Sequence, residues 1–266
     1  MASVFVLSMC IFFFWAGYRC AQVYVPGAPH DTLYVNGKDS FERSKRESCS
    51  TPCYATKLCP SVSRSSRFSA NHTEFFKAFG GDKTRYSLQS YLTKSSIVME
   101  VGGYTGVDII EMQRRFGFFR TLLFEPIFFE EARANLNDRN VKVYPYGLGK
   151  ITRQVLFDIK GDGTKEALTG KPGEIRNFEG VVQQLGISNI DLLQINCEGC
   201  EWEVLEASFS SIQTFQHIQV QFHASADWVE NRLERYAVIQ DELTKTHELI
   251  YDQPWIWQLW RRKRHI

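Results

Sequence analysis

Two stretches of the chain hold residues whose types and spacing suit chemistry. The first, Ser96 to Glu111, reads S-I-V-M-E-V-G-G-Y-T-G-V-D-I-I-E. An apolar run ends in an acid and a glycine-rich turn, and Val107, Ile109, Ile110 and Phe116 then recur at helical spacing. That succession is a strand, a tight loop and a helix N-terminus, the opening unit of a nucleotide-binding α/β sheet. Gly102 and Gly106 let backbone approach a ligand closely, and Gly103 and Tyr104 lie between them. The spacing is E-x-G-x-x-x-G, because Val101 stands where the first glycine of the dinucleotide fingerprint belongs, and this argues against a nicotinamide cofactor. Glu100, just ahead of the turn, suits a cationic ligand end instead, such as the ammonium of S-adenosylmethionine.

Glu125 follows Glu100 by 25 residues and closes a second apolar run, Arg120 to Phe124. An acid at that point of an α/β nucleotide fold accepts hydrogen bonds from ribose hydroxyls. Its alternative role is a helix N-terminal charge, since Pro126 opens the next helix and Glu130 and Glu131 favour its first turn.

The second stretch, Asn189 to Leu205, reads N-I-D-L-L-Q-I-N-C-E-G-C-E-W-E-V-L. Its strand (Leu192, Leu193, Ile195) delivers Asn196 and Glu198 to the crevice beyond the carboxyl ends of the strands, and the next strand, Gln216 to Phe222, delivers His223 there. A hydroxyl acceptor must lose its proton as a new bond forms, so a general base would help. His223, with an ordinary pKa near 6.5, is the first candidate, and Glu198 the second. Asn196 cannot titrate and could only orient an acceptor or contact a cofactor. Cys197-x-x-Cys200, where a strand runs into a helix, also has the arrangement of a thiol redox site. Glu198, Glu201 and Glu203 would raise thiol pKa values there, so the expectation is a buried cysteine in the strand and a small residue at the helix start.

These residues need a frame to hold them. Two short helices, Glu74 to Phe79 and Thr84 to Lys94, are predicted on either side of Gly80-Gly81. A helix over Phe128 to Leu136 and a strand over Val141 to Tyr146 follow the second strand. Residues 150–180 read as irregular and Gly-rich, a long loop placed as a substrate-side lid. Asp227 begins a long amphipathic helix with Val229, Leu233, Tyr236 and Leu243 on one stripe. His247 to Asp252 and Trp255 to Trp260 are two closing strands about Pro254, with Trp255, Trp257 and Trp260 as sheet core and Arg261 to Arg264 as a solvated tail.

Taken in order and at their spacings, V-M-E-V-G-G-Y-T-G, L-L-F-E-P and D-L-L-Q-I-N-C-E-G-C-E-W-E-V-L resemble the FkbM-type S-adenosylmethionine-dependent methyltransferases, which are class I Rossmann-like enzymes. The resemblance covers about residues 90–225. It implies an α/β fold with a doubly wound, mostly parallel seven-stranded sheet. It further implies S-adenosyl-L-methionine held by the Gly102–Gly106 loop and Glu125, and methyl transfer typically to an oxygen. The sequence departs from the family pattern at Glu100 for Asp, Gln194 for Lys and Asn196 for Asp. An inactive methyltransferase-like binding or trafficking protein is the alternative these departures support, and a C-x-x-C thiol oxidoreductase is a further one.

The remainder of the chain bounds the setting. Basic and acidic residues nearly balance, 31 to 30, so nothing in the charge calls for a nucleic-acid partner. No internal repeat is present. Val4 to Gly17 is an uncharged apolar run of signal-peptide length, placing residues 1–20 as a signal peptide or signal-anchor and the protein in the secretory pathway, secreted or lumenal. Residues 21–71 read as a linker bearing Cys49, Cys53 and Cys59, close enough for local disulfides in an oxidising compartment. Asn71-His72-Thr73 is the single glycosylation sequon, and the domain is expected from residue 72 to 266. No zinc or other metal site is expected. The acceptor is expected to be a glycan or small-molecule hydroxyl, with a membrane touched only through the N-terminal segment.

Overall fold

Strand β1 (Ile97–Val101) is closed to solvent at four of its five positions. A strand covered on both faces is how a parallel sheet flanked by helices reads. The computed structural model describes residues 83–160, 163–223, 226, 228–253 and 256–264. The apolar leader, the cysteines of the linker, Asn71 and the helix expected over 74–79 lie outside the described residues.

β1 is an inner strand of a seven-stranded sheet, flanked by β2 (Arg120–Phe124) and β8 (Ile190–Ile195). The order of that sheet runs from β3 (Val141–Tyr144) through β2, β1, β8, β9 (Phe215–Val220) and β11 (Trp257–Arg262) to β10 (His247–Gln253). The first five strands run parallel, while β11 pairs antiparallel with both β9 and β10. The alternation of a strand sends Val98 to one face and Met99 and Val101 to the other. Val98 packs with Ile109 and Met112 of α2 (Val107–Phe116) and with Ala132 and Leu136 of α3 (Phe129–Leu136). Met99 and Val101 share a core with Phe178 of α4 (Phe178–Leu185), Trp202 of α5 (Glu201–Ser208) and Tyr236 of α6 (Arg232–Thr246). The doubly wound seven-stranded α/β fold expected from the sequence is the fold observed.

Four local expectations are corrected. The stretch 150–180 is no loop: β4 (Gly147–Gly149), β5 (Arg153–Lys160), β6 (Gly163–Ala167) and β7 (Lys171–Asn177) form a second sheet in the order β4-β7-β5-β6. Its period-2 signal is weak, because along β5 to β7 only Phe157 and Ile175 are buried, packed with Ile127, while the other described positions of these strands are partly or fully exposed. The strand expected to run to Tyr146 ends at Tyr144, and Gly147–Gly149 passes into the second sheet. Helix α1 covers only Lys83–Ser87, after which Gln89 turns its amide into the main sheet, bonding Gln194 at 3.0 Å and Gln219. The long helix begins at Arg232, behind a left-handed Asn231, and Leu233 is exposed rather than part of its buried stripe.

Trp202 shows how the E-x-x-V-L segment is used. It is fully buried, its ring meets Phe222 edge-on at 5.8 Å, and its indole N–H donates to the Arg232 carbonyl at 3.2 Å. One side chain therefore joins α5, the end of β9 and the start of α6. Trp202→Ala is expected to lower unfolding free energy by about 3–5 kcal/mol, read from the midpoint of urea unfolding; a loss under about 1 kcal/mol would contradict this account of the core.

Candidate active site

The site begins where two loops touch. Gly102 has φ 83°, and a Cβ built on it would lie 2.0 Å from the Asn196 carbonyl oxygen. The backbone after β1 is thus in direct contact with the backbone after β8, an approach that only glycine permits. This is also where the strand order reverses, with β2 on one side of β1 and β8 on the other, and ligands of open α/β sheets bind at such a point. The crevice there has a volume of about 610 Å³, within the range of small-molecule and cofactor sites.

Of the residues expected at the site, Gly102, Gly103, Tyr104, Glu125, Asn196 and Glu198 line this crevice. Glu125 does two jobs. Its carboxylate accepts from the backbone N–H groups of Ile127 (2.8 Å) and Phe128 (3.1 Å), ahead of α3, and from Tyr104 N–H (2.9 Å) in the first loop. Burial lifts its pKa above the ordinary value, with the three N–H donors and Lys171 pulling the other way. It therefore pins the glycine loop to the second strand while facing the cavity.

Glu100, Gly106 and His223 do not line the crevice, and each expectation is corrected for a physical reason. Glu100 shares the face of Val98, so it points under α1 and α2, fully buried, with the Gln194 amide donating to it at 3.1 Å. Burial, reinforced by the charge of Asp108, raises its pKa well above the carboxylate range, so it is no anchor for a cation in the crevice. Asp108, in the first turn of α2, is the acid of this loop–helix unit that lines the cavity, and it accepts from Tyr86 Oη at 2.6 Å and from Arg85. Gly106 is the left-handed N-cap of α2; a Cβ there would meet the Leu136 side chain at 2.6 Å, so its task is packing against α3.

His223 sits between two carboxylates. Its Nδ1 is 3.2 Å from Glu201 Oε1, and its Nε2 is 3.2 Å from Glu198 Oε1. Burial alone would depress its pKa, but Glu201 and Glu198 outweigh this and raise it from 6.5 to about 10. Both ring nitrogens are turned to carboxylates and the ring does not line the crevice, so His223 is not placed to take a proton from an acceptor there, contrary to the expectation from the sequence. Its charge instead orients Glu198, the member of the trio that reaches the cavity and is about a third exposed, at 38%. Glu198 adopts a left-handed φ of 53° to do so, a conformation an L-residue disfavours by about 1–2 kcal/mol.

The expectation for the cysteines is also corrected. Cys197 and Cys200 are joined by a disulfide across the turn from β8 to α5, and both line the crevice. Residues not anticipated from the sequence complete the cavity. Arg153 and Phe157 of β5, Lys165 and Glu166 of β6, and Trp228 also line it. Arg153 bonds Glu203 of α5 at 2.9 Å and also Glu166. Burial opposes ionisation of Glu203, yet Arg153 and the Lys150 N–H hold its pKa below the ordinary value. Lys165 Nζ lies 5.4 Å from the Trp228 ring. Among the described residues, no group of three His, Cys, Asp or Glu side chains is placed to hold a metal, and no helix is long and apolar enough to cross a membrane.

A mostly parallel α/β sheet with this crevice at its switch point defines a Rossmann-like domain of the nucleotide-cofactor class. The profile of a methyltransferase-domain family matches residues 120–253, just over half of the chain, and the chain belongs to that family. Among solved structures it is similar to precorrin-6y C5,15-methyltransferase from Geobacter metallireducens, at 12% identity and TM-score 0.41 over 69% of this chain and 89% of that one. It is also similar to M. capricolum TrmK in complex with S-adenosyl-homocysteine, at 13% identity and TM-score 0.39 over 68% and 69%. Scores this low describe a likeness of shape and carry nothing about activity. No curated protein matches the chain.

The sandwiched imidazolium makes a signed prediction. A group whose folded pKa is raised contributes stability that is fully present below its unfolded value and is lost as pH rises through the folded value. For His223 that window runs from about 6.5 to about 10. The difference in melting temperature between wild type and His223→Gln is therefore expected to narrow steadily across that range; a difference independent of pH would show that His223 is not held charged.

Proposed function

We propose that the chain is an S-adenosylmethionine-dependent methyltransferase of the FkbM type that methylates a hydroxyl oxygen. The observation that carries the reading is the placement of Glu198: it faces the same crevice as the Gly102 loop and Glu125, with an imidazolium fixed behind it. The residues present fit the cofactor. Glu125 offers a carboxylate to ribose hydroxyls, Gly102 to Tyr104 supply close backbone, and Pro126, Phe128 and Leu148 give apolar walls for a base. When bound, S-adenosylmethionine supplies an electrophilic methyl on a sulfonium. The protein then holds the acceptor in line and removes its proton. Glu198 is the group placed to accept that proton, and His223 keeps the carboxylate aimed into the cavity.

The acceptor wall supports a glycan or another polyhydroxy compound. Trp228 is about half exposed and lines the cavity beside Glu166, Glu198 and Glu230, which sets an aromatic face for a sugar ring next to acceptors for its hydroxyls. The disulfide supports a secretory location, since such bonds persist in oxidising compartments. Gln194, where the family pattern has Lys, lies buried among Gln89 and Glu100 and away from the crevice, so that departure has no bearing on turnover by direct contact.

Calorimetry of the purified protein tests the cofactor. S-adenosylmethionine and S-adenosylhomocysteine are expected to bind, Gly102→Val to abolish binding, and Glu125→Ala to weaken it by about 1.5–3 kcal/mol. A folded Gly102→Val protein with wild-type affinity would overturn the site. Transfer of labelled methyl to lumenal glycan fractions tests the acceptor. There Glu198→Gln is expected to lower turnover about a hundredfold or more, with cofactor affinity within a few-fold. Equal turnover in that variant would remove Glu198 from the chemistry. Glycosidase treatment of the expressed protein is expected to shift its mass through Asn71; an unglycosylated protein with free thiols at Cys49, Cys53 and Cys59 would sink the secretory reading.

A further inference from the structure

The methyl-transfer reading gives the Cys197–Cys200 disulfide no task. Its surroundings suggest one. Both cysteines are half-buried and line the crevice, within reach of a small reagent. The ring that the bond closes contains Glu198 at φ 53° and Gly199 at φ 109°, two successive residues in the left-handed region. The same turn abuts both sides of the site. The Cys197 Cα lies 2.8 Å from where a Cβ on Gly102 would stand, and Trp228 Nε1 lies 2.9 Å from where one on Gly199 would stand. The bond therefore holds a turn that the glycine loop, Glu198 and the acceptor wall all rest on.

We propose that Cys197 and Cys200 form a dithiol–disulfide site that exchanges electrons with small thiols, and that the oxidised form is the one competent to bind cofactor. The second half of the proposal rests on the S-adenosylmethionine reading. In the exchange, a thiolate of the reductant attacks one sulfur, the S–S bond breaks, and the other cysteine leaves as a thiolate that takes a proton. A second thiol of the reductant then attacks the mixed disulfide. Two protonated cysteines and one oxidised reductant result, so the protein gains two electrons and two protons. Without the ring, Glu198 is free to return to an ordinary negative φ, which carries its carboxylate away from His223. The turn then no longer abuts Gly102 in the geometry that shapes the cavity floor.

The test uses the full chain, oxidised or treated with dithiothreitol, with alkylation and mass spectrometry scoring Cys197 and Cys200 directly. Calorimetry with S-adenosylhomocysteine is expected to show affinity falling at least tenfold on reduction and recovering on reoxidation with oxidised glutathione. A Cys197→Ser/Cys200→Ser variant retains every other cysteine and is expected to bind weakly in both states. Equal affinity in the two states, with both cysteines shown to be reduced, would overturn the proposal, as would free thiols at these positions in untreated protein. If even the oxidised protein fails to bind, the cofactor reading has failed, and the redox site is judged by Trp228. A fluorescence change on reduction that is absent from both Trp228→Phe and the double serine variant supports it, and no such change overturns it.

Discussion

The site depends on one fully buried carboxylate. Glu201 opens α5, yet its oxygens turn back to accept the Gly199 N–H at 2.9 Å and the His223 N–H at 2.8 Å, with the His223 ring a further partner. Leaving a carboxylate unpaired in an interior costs several kcal/mol, so a residue this buried enforces the positions of its donors. The donors lie on two loops, one following β8 and one following β9. Glu201 therefore fixes the distance between the two strand ends that shape the crevice, and through His223 it also fixes Glu198. The acids crowded at this helix start, Glu201 and Glu203, further suit the positive end of the helix dipole.

The second sheet is joined to this centre by charge as well as by chain. Arg153 of β5 spans Glu203 of α5 and Glu166 of β6, and the Lys150 N–H adds a bond to Glu203. Lys171 of β7 donates from Nζ to the Ile127 carbonyl at 2.8 Å, beside the residues that Glu125 holds. A sheet with a small apolar core of its own is thus seated over the cavity by polar contacts at both ends.

Much of this architecture was legible in the sequence, and the limits of legibility are physical. Strands β1, β2, β8 and β9 announce themselves as short, continuous apolar runs because both of their faces are covered. The glycine loop and Glu125 follow from their places at strand ends. The second sheet did not declare itself, because strands lying over an open crevice bury few side chains, and their glycines read as loop. Glu100 shows a different limit. Motif spacing puts it at the strand end, but only the side-chain alternation of β1, with Val98 on the same face, shows that it points beneath the helices. His223 follows β9 as the sequence suggests, yet its ring turns from the crevice to Glu201, 22 positions earlier in the chain, and no local pattern reports such a pairing.

The position of the second sheet along the chain has a consequence for how such a domain diversifies. It is a single uninterrupted insertion, entered after β3 and left at Asn177, which also caps α4 by accepting the Gly180 N–H. The parallel strands that hold the glycine loop, Glu125 and Glu198 contribute none of its pairings. Changes of length within β5 to β7 leave the pairings of the main sheet intact, while Leu148 and Lys171 tie the stretch to the crevice and to Ile127. The wall that this stretch lends to the crevice can thus vary in length without altering the order of the parallel strands.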